Sequence, residues 1–148
     1  MKTIQHFLFG LLLSGILASC ATSLYDHFTL TETLAIKAQA SALVATSTQA
    51  YNDHVLAVEE LQSQLEKMVS YETAKSNNAI TLQMWKYLQS DESALQGFLK
   101  LWREQGTLGP TFTEEFQPQI EKAFDILLDY ETKKDKETAN ILTALITG

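Results

Sequence analysis

The sequence predicts an all-α fold, a small up-down bundle of about four helices. Glycine occurs six times and proline twice in 148 residues, and neither occurs between Gly15 and Gly97. Long runs of Ala, Leu, Gln, Glu, Lys and Ser favour helix over strand. The chain lacks the sustained polar–apolar alternation and the Asn-Gly or Asp-Gly turns that are typical of hairpins. We detect no internal sequence repeat.

Two helices are predicted in the first half of the chain, over about residues 24–45 and 50–75. Thr46-Ser47-Thr48 separates them, and hydroxyl side chains weaken a helix and can cap a new one. One continuous helix is the alternative, but it would be ~75 Å long, too long for the other segments to cover, so we favour a turn. Apolar spacings of three and four predict that the first helix buries Leu24, Phe28, Leu34, Ala35, Ala38, Ala42 and Ala45, and the second Tyr51, Val55, Val58, Leu61, Leu65, Met68 and Tyr71.

A third helix is predicted over residues 79–105, after the polar break Ser76-Asn77-Asn78. Its apolar stripe is interrupted at Ser90-Asp91-Glu92, where we expect a kink. Gly106 should end the helix, because glycine accepts the left-handed conformation that often follows a helix C-terminus.

A fourth helix is predicted to open at Thr111. Glu114 follows three residues later, which is the spacing of a capping box. Pro118 should kink this helix or mark its true first turn. After the charged stretch 133–137 we expect only a short tail over residues 138–148.

The first twenty residues differ from the rest of the chain. Lys2 is the only charged residue among them, and the run from Phe7 to Ala18 contains one polar residue, Ser14. A short basic start followed by such a run is typical of a secretory signal peptide. The run is shorter than the ~20 apolar residues that a transmembrane helix needs.

The apolar run closes with Leu17-Ala18-Ser19-Cys20. These residues resemble the lipobox of bacterial lipoproteins, in which a branched apolar residue and two small residues precede a cysteine. The resemblance covers residues 1–20. It implies that the Cys20 thiol receives a diacylglyceryl group, that a peptidase cuts before Cys20, and that the new amine is usually acylated in Gram-negative bacteria. An ordinary secretory signal with an incidental Cys20 is the alternative.

The lipobox resemblance also divides the chain. Residues 1–19 would be the signal peptide, residues 20–23 a lipidated tether and residues 24–148 the helical domain. Ala21 follows the cysteine, whereas in enterobacterial lipoproteins an Asp there favours retention in the inner membrane. We therefore expect a lipid-anchored protein of the bacterial cell envelope, on the outer membrane and facing the periplasm. Cys20 is the only cysteine, so no internal disulfide stabilises the domain.

The charge of the domain restricts its partners. Removing residues 1–19 from the 148-residue chain leaves 129 residues, and the loss of Lys2 takes the net charge from −7 to −8. An acidic surface argues against nucleic acid, which is bound through Lys and Arg. The expected partners are the membrane, through the lipid, and another envelope protein.

Catalytic and metal-binding patterns are not found in the sequence. A di-iron bundle needs Glu-x-x-His pairs, but Leu24 and Tyr51 stand three residues before His27 and His54, and His6 lies in the signal peptide. The two domain histidines are expected to be surface or capping groups. Motifs of nucleophilic hydrolases and phosphate-binding loops are missing as well. We predict no enzyme, no cofactor and no metal.

One aromatic residue is a candidate for partner contact. Trp85 lies off the apolar stripe of the third helix, and exposed tryptophans are favoured at protein contacts. Its partial burial at a helix boundary is the alternative reading. Two functions follow for the domain: a non-enzymatic interaction or structural module, which we prefer, or a periplasmic carrier that holds a small molecule or metal in the bundle interior.

Overall fold

The computed structural model describes residues 26–147, and the predicted signal peptide, the predicted tether and Cys20 lie outside this range. The described residues contain helices and loops without a strand, so the predicted all-α fold is confirmed. The helices are α1 (His27–Thr46), α2 (Val55–Thr73), α3 (Ala79–Gln89), α4 (Ala94–Gln105), α5 (Pro110–Lys133) and α6 (Lys136–Thr147), with a 3-10 turn at Tyr51–Asp53.

Four arms form an up-down bundle. α1 and α3 each lie against α2 and α5, and α4 continues the arm that α3 begins and packs on α5. α6 packs outside this bundle on α3 and α5, where a short tail was predicted. We call the end where α1, α3 and α6 begin the entry end, and the opposite end the far end. Within residues 26–147 no helix has the length and apolar character needed to cross a membrane.

The chain turns between α1 and α2, as predicted, at the far end. Ser47 is buried at this turn, and its hydroxyl lies 3.1 Å from that of Thr113 in α5. Its carbonyl accepts the N–H of Leu108 at 2.8 Å. Because these bonds join the turn to the α4–α5 connection, they close the far end of the bundle.

The predicted third helix is divided in two, so the expected kink is a complete break. Ser93 caps α4, since its hydroxyl accepts the N–H of Gln96 at 3.2 Å. Gly106 ends α4 as predicted, with a φ of 80° and its N–H donating to the carbonyl of Trp102 at 2.8 Å.

The start of α5 differs from the prediction. The helix begins at Pro110, with Gly109 as its N-cap residue, so the expected capping box of Thr111 and Glu114 is wrong. Proline fits the first helical position because its missing N–H would have no helical partner there. α5 then continues through Pro118, which therefore does not mark its first turn.

Large side chains fill the bundle interior. Each fully buried aliphatic or aromatic side chain stabilises the fold by ~1.5–3 kcal/mol relative to its exposure. The predicted stripe of α2 is confirmed at its four central residues, which are all buried. The largest fully buried side chains are Trp85, Trp102, Phe98, Phe124, Ile36, Leu61, Leu65, Met68, Met84, Leu88, Leu95 and Ile120.

α1 buries a different face from the predicted one. Phe28 and Leu34 are 40% and 52% exposed, and the four alanines assigned to the core are exposed as well. Two threonines belong to the true buried face because their hydroxyls find partners inside the fold: Thr29 donates to Glu72 and Thr33 to the carbonyl of Thr29. The buried residues of α1 are Thr29, Thr33, Ile36, Ala40, Leu43 and Val44.

The chain contains an internal repeat, contrary to our expectation. Tyr71-Glu72-Thr73-Ala74-Lys75 ends α2, and Tyr130-Glu131-Thr132-Lys133-Lys134 ends α5, with four of five residues identical. Asp26-x-x-Thr29 begins α1, and the similar Asn78-x-x-Thr81 begins α3. We therefore distinguish unit 1, α1 and α2, from unit 2, α3 to α5. The two matching stretches are short and lie at unequal separations, which hides the repeat in the sequence.

Candidate functional site

Two buried carboxylates lie at the entry end of the bundle, one from each unit. Glu72 near the end of α2 and Glu131 near the end of α5 are both fully buried. A buried carboxylate is costly unless it is paired and hydrogen-bonded. The hydrogen-bond and ion-pair partners of each glutamate therefore determine whether its burial is stable.

Glu72 joins the ends of three helices. Its Oε1 accepts the hydroxyl of Thr29 in α1 at 2.5 Å, and its Oε2 accepts the amide of Asn78, which precedes α3, at 2.5 Å. Lys75 Nζ lies 3.0 Å from Oε2 and completes an ion pair. Asn78 also donates to the backbone carbonyl of Glu72 at 2.7 Å. Both carboxylate oxygens thus have partners.

Asp26 extends this cluster to the first residue that the structure describes. Its Oδ1 caps α1 by accepting the N–H groups of Phe28 at 2.9 Å and Thr29 at 3.1 Å. Its Oδ2 accepts the Tyr71 hydroxyl at 3.1 Å and pairs with Lys75 Nζ at 2.6 Å. We call this set the Glu72 cluster: Asp26, Thr29, Tyr71, Glu72, Lys75 and Asn78.

The charges of the Glu72 cluster stabilise one another. Partial burial by itself raises the pKa of Asp26, but hydrogen bonds from Lys75 and the Thr29 N–H, with the charge of Lys75, lower it to about 2. Partial burial lowers the pKa of Lys75, but its bonds to Asp26 and Glu72 raise it above its ordinary value. Burial and the bond to Asp26 raise the pKa of Tyr71. Asp26 and Lys75 are therefore both charged at neutral pH.

Unit 2 repeats the central part of this arrangement. Glu131 Oε1 accepts the Thr81 hydroxyl at 2.5 Å and pairs with Lys134 Nζ at 2.5 Å. The lysine also lies over the ring of the preceding tyrosine in both units: Lys134 is 4.6 Å from the Tyr130 centroid, and the unit 1 distance is 5.0 Å. We call Thr81, Tyr130, Glu131 and Lys134 the Glu131 cluster.

The two clusters differ at one carboxylate oxygen. Glu131 Oε2 is buried without a hydrogen-bond partner among residues 26–147. In unit 1 the matching oxygen is bound by Asn78, but the residue at the start of the next helix in unit 2 is Asp135, which cannot donate through an ionised side chain. The Glu131 cluster is therefore the less completely satisfied of the two.

The entry end is also the end nearest to Cys20 along the chain. The lipobox residues Leu17-Ala18-Ser19-Cys20 lie outside the described residues, so the structure does not test them. Asp26 follows Cys20 by six residues, and six residues span at most about 20 Å. The Glu72 cluster thus begins within about 20 Å of the cysteine.

Trp85 does not lie at the surface, so the expectation of an exposed partner contact there is wrong. Its side chain is fully buried in α3, and its Nε1 has no hydrogen-bond partner in the described part of the chain. The apolar indole gains more from the bundle interior than from water. Trp85 lies on the buried face of α3, which also includes Thr81, Met84 and Leu88. The tail assigned to residues 138–148 is the helix α6, which the apolar spacing of Ile141, Leu142, Leu145 and Ile146 could have indicated.

The histidines occupy separate positions. His54 is half-buried at the far end, where its Nε2 lies 2.9 Å from Gln49 Oε1 and its ring is 5.4 Å from that of Trp102. His27 is exposed at the start of α1. Among residues 26–147 no group of three His, Cys, Asp or Glu side chains is arranged to hold a metal ion.

A polar groove of about 570 Å³ runs between α2 and the α3–α4 arm. Gln62 and Gln96 line it with a reciprocal amide pair, at 2.8 and 3.2 Å. Because each amide satisfies the other, the pair acts as a fixed bridge between α2 and α4. The carboxylates of Glu59, Glu66 and Asp91 also line the groove.

No protein-family model, no curated protein and no solved structure matches this chain.

Proposed function

We propose that this chain is a lipid-anchored helical protein of the bacterial cell envelope that binds another envelope protein or has a structural role, without catalysing a reaction. The observation that carries the proposal is Leu17-Ala18-Ser19-Cys20 at the end of the apolar run. Two or three acyl chains hold a protein on a membrane durably, since each buried methylene contributes ~0.8 kcal/mol.

The construction of the entry end supports an anchor at Cys20. Any force on the anchor reaches the folded domain first at Asp26 and the start of α1. Asp26 and Thr29 bond to residues at the end of α2. One of these residues, Glu72, also accepts a hydrogen bond from Asn78, which precedes α3. The attachment point is therefore tied to three helices rather than to one.

The charge of the domain supports the same arrangement. The mature chain would carry a net charge of −8, which opposes adhesion of the domain to anionic headgroups. Attachment then depends on the lipid, and the helical surface stays available to a protein. We propose the outer membrane, facing the periplasm, because Ala21 rather than Asp follows the cysteine.

The carrier alternative has less support from the structure. Indole and phenyl rings fill the bundle interior where a ligand would sit, and the polar groove between α2 and the α3–α4 arm lies at the surface. Absorbance spectra, elemental analysis and thermal shifts of the purified protein would reveal a bound cofactor or metal.

Metabolic labelling with a radioactive fatty acid tests the anchor. We expect label in the wild-type protein and in Ser19→Ala, which keeps a small residue before the cysteine. Cys20→Ala should be unlabelled and lost from the membrane fraction. An unlabelled wild-type protein that accumulates to a normal level would overturn the proposal.

A further inference from the structure

The start of α6 repeats the starts of unit 1 and unit 2. Asp135-x-x-Thr138 has the spacing of Asp26-x-x-Thr29 and Asn78-x-x-Thr81. Asp135 Oδ1 accepts the N–H of Thr138 at 2.8 Å, as Asp26 Oδ1 accepts that of Thr29 at 3.1 Å. α6 is therefore built like the first helix of a third unit, and residues 26–147 contain no second helix to complete it.

The threonine of α6 bonds to a carboxylate at the start of its own helix, whereas its counterparts bond to a carboxylate of another helix. Thr29 and Thr81 each donate a hydroxyl to a buried glutamate of a second helix, Glu72 or Glu131. Thr138 is equally buried, but its hydroxyl bonds back to Asp135 Oδ1 at 2.8 Å. A glutamate from another helix is what this position receives in both complete units.

Thr138 lies beside an open groove between α5 and α6 of about 580 Å³, which Ile141 also lines. Ile141 is 47% exposed and lies six residues after Asp135, the capping residue of α6. In unit 1 the residue at that position is Glu32, which pairs with Lys67 of α2 at 2.5 Å. Thus α6 lines the groove with the face that corresponds to the face of α1 in contact with α2. The α5 side of the groove adds Pro118 and Ile126.

The acidic residues that line the groove favour a ligand with lysine or arginine side chains along one edge. Glu121, Asp125 and Asp129 line the groove along α5, and Lys122 is the one lining residue of opposite charge. Asp125 and Asp129 form ion pairs with lysines of the chain, but these carboxylates are about half exposed. Exposed pairs contribute little, so an incoming lysine or arginine can compete with them.

We propose that the groove between α5 and α6 binds an amphipathic helix of a partner protein. This helix presents apolar residues to Ile126 and Ile141 and a glutamate to Thr138, with a lysine three residues after the glutamate, as in both units of this chain. The inference rests on the proposed function in that the partner is a protein, but it requires no lipid anchor.

Fluorescence anisotropy with a labelled synthetic peptide of residues 55–75 tests the groove, because this peptide ends in the Tyr-Glu-Thr-x-Lys sequence. The receptor is the full chain as the cell produces it, with or without lipid, solubilised in detergent. We expect saturable binding that weakens roughly tenfold with Ile141→Lys, as expected when an apolar contact is lost. Thr143→Lys, on the same helix but outside the groove, should bind as wild type. A peptide with Glu72→Ala should bind more weakly.

Three results would overturn the inference: absence of binding, binding that Ile141→Lys leaves unchanged, or a wild-type dimer in sedimentation that Ile141→Lys dissociates, since the occupant would then be a second copy. Circular dichroism checks that the variants are folded, and Ile141→Ala, which only shortens the side chain, should weaken binding in the same direction. Fatty-acid labelling is independent of this measurement, so failure of the groove and failure of the anchor are distinguishable.

Discussion

At the scale of the residue, the two buried glutamates show how one sequence motif can have unequal surroundings. Glu72 and Glu131 follow a tyrosine and precede a lysine by three positions, and each accepts a threonine hydroxyl. Within the described range 26–147, Glu72 has a partner for its second oxygen, the amide of Asn78, and Glu131 has none. The motif in the sequence therefore indicates the ion pair but not the completeness of its hydrogen bonding.

Replacing each glutamate by alanine should expose this difference. Glu72→Ala removes the carboxylate that Thr29 and Asn78 bond to and leaves Lys75 paired with Asp26 alone, so we expect a loss of about 3–5 kcal/mol in the free energy of unfolding. Glu131→Ala should cost about 1 kcal/mol less, because one hydrogen bond fewer is removed. Urea unfolding measures both, with the exposed Glu115→Ala as a control that should stay within about 0.5 kcal/mol of wild type. Equal losses at the two sites would contradict this view of the clusters.

Asp26 makes the stability of the entry end depend on pH. The pKa of Asp26 is lowered from 3.8 to about 2 in the folded protein, so the folded state binds this proton less readily than the unfolded chain. The stabilisation from the charged carboxylate is present above pH 3.8 and is lost as the pH falls towards 2. Asp26→Asn keeps a capping side chain but removes the charge.

Thermal unfolding of wild type and Asp26→Asn between pH 6 and pH 2 measures that contribution. We expect wild type to have the higher Tm at pH 6 and the difference to vanish as the pH approaches 2. A difference in Tm that is constant across this range would show that the charge of Asp26 does not stabilise the fold.

At the scale of the element, periodicity predicted α2 well and α1 poorly. The buried face of α2 consists mainly of large apolar residues, which a spacing of three and four reveals. α1 has apolar or small residues on several sides, and its buried face includes two threonines. Thr29 donates its hydroxyl to Glu72 of α2, and Thr33 donates its hydroxyl to the carbonyl of Thr29. The bond between Thr29 and Glu72 joins two helices, so it cannot be inferred from the sequence of α1 alone. Apolar spacing therefore predicted the wrong face of α1.

Two alanines of α1 distinguish the predicted face from the observed one. Ala40 is fully buried, whereas Ala38 is exposed, although the sequence assigned Ala38 to the core. Ala40→Leu should destabilise the fold by about 1–3 kcal/mol through overpacking. Ala38→Leu should change stability by no more than about 0.5 kcal/mol. Chemical denaturation decides between them, and a costly Ala38→Leu beside a neutral Ala40→Leu would show that α1 is rotated from the observed orientation.

At the scale of the whole molecule, the scarcity of glycine and proline was enough to predict an all-α bundle and most of its turns. The division into α3 and α4 was expected only as a kink, although Ser93 supplies a local cap there. The docking of α6 was missed because it depends on side chains far apart in the sequence. Trp85 was misplaced because the buried face of α3 begins with a threonine, Thr81, and continues through Met84, Trp85 and Leu88, so apolar spacing alone did not reveal it. The entry-end clusters could have been suspected from the two Tyr-Glu-Thr sequences, but their burial follows only from the fold.

The lipid anchor at Cys20 is best tested by the intact mass of the wild-type protein extracted from membranes. We expect the mass of residues 20–148 increased by a diacylglyceryl group and one further acyl chain, and fragmentation should locate the added mass on the N-terminal cysteine. A protein that retains Met1, or that carries an unmodified Cys20 thiol after processing, would contradict it.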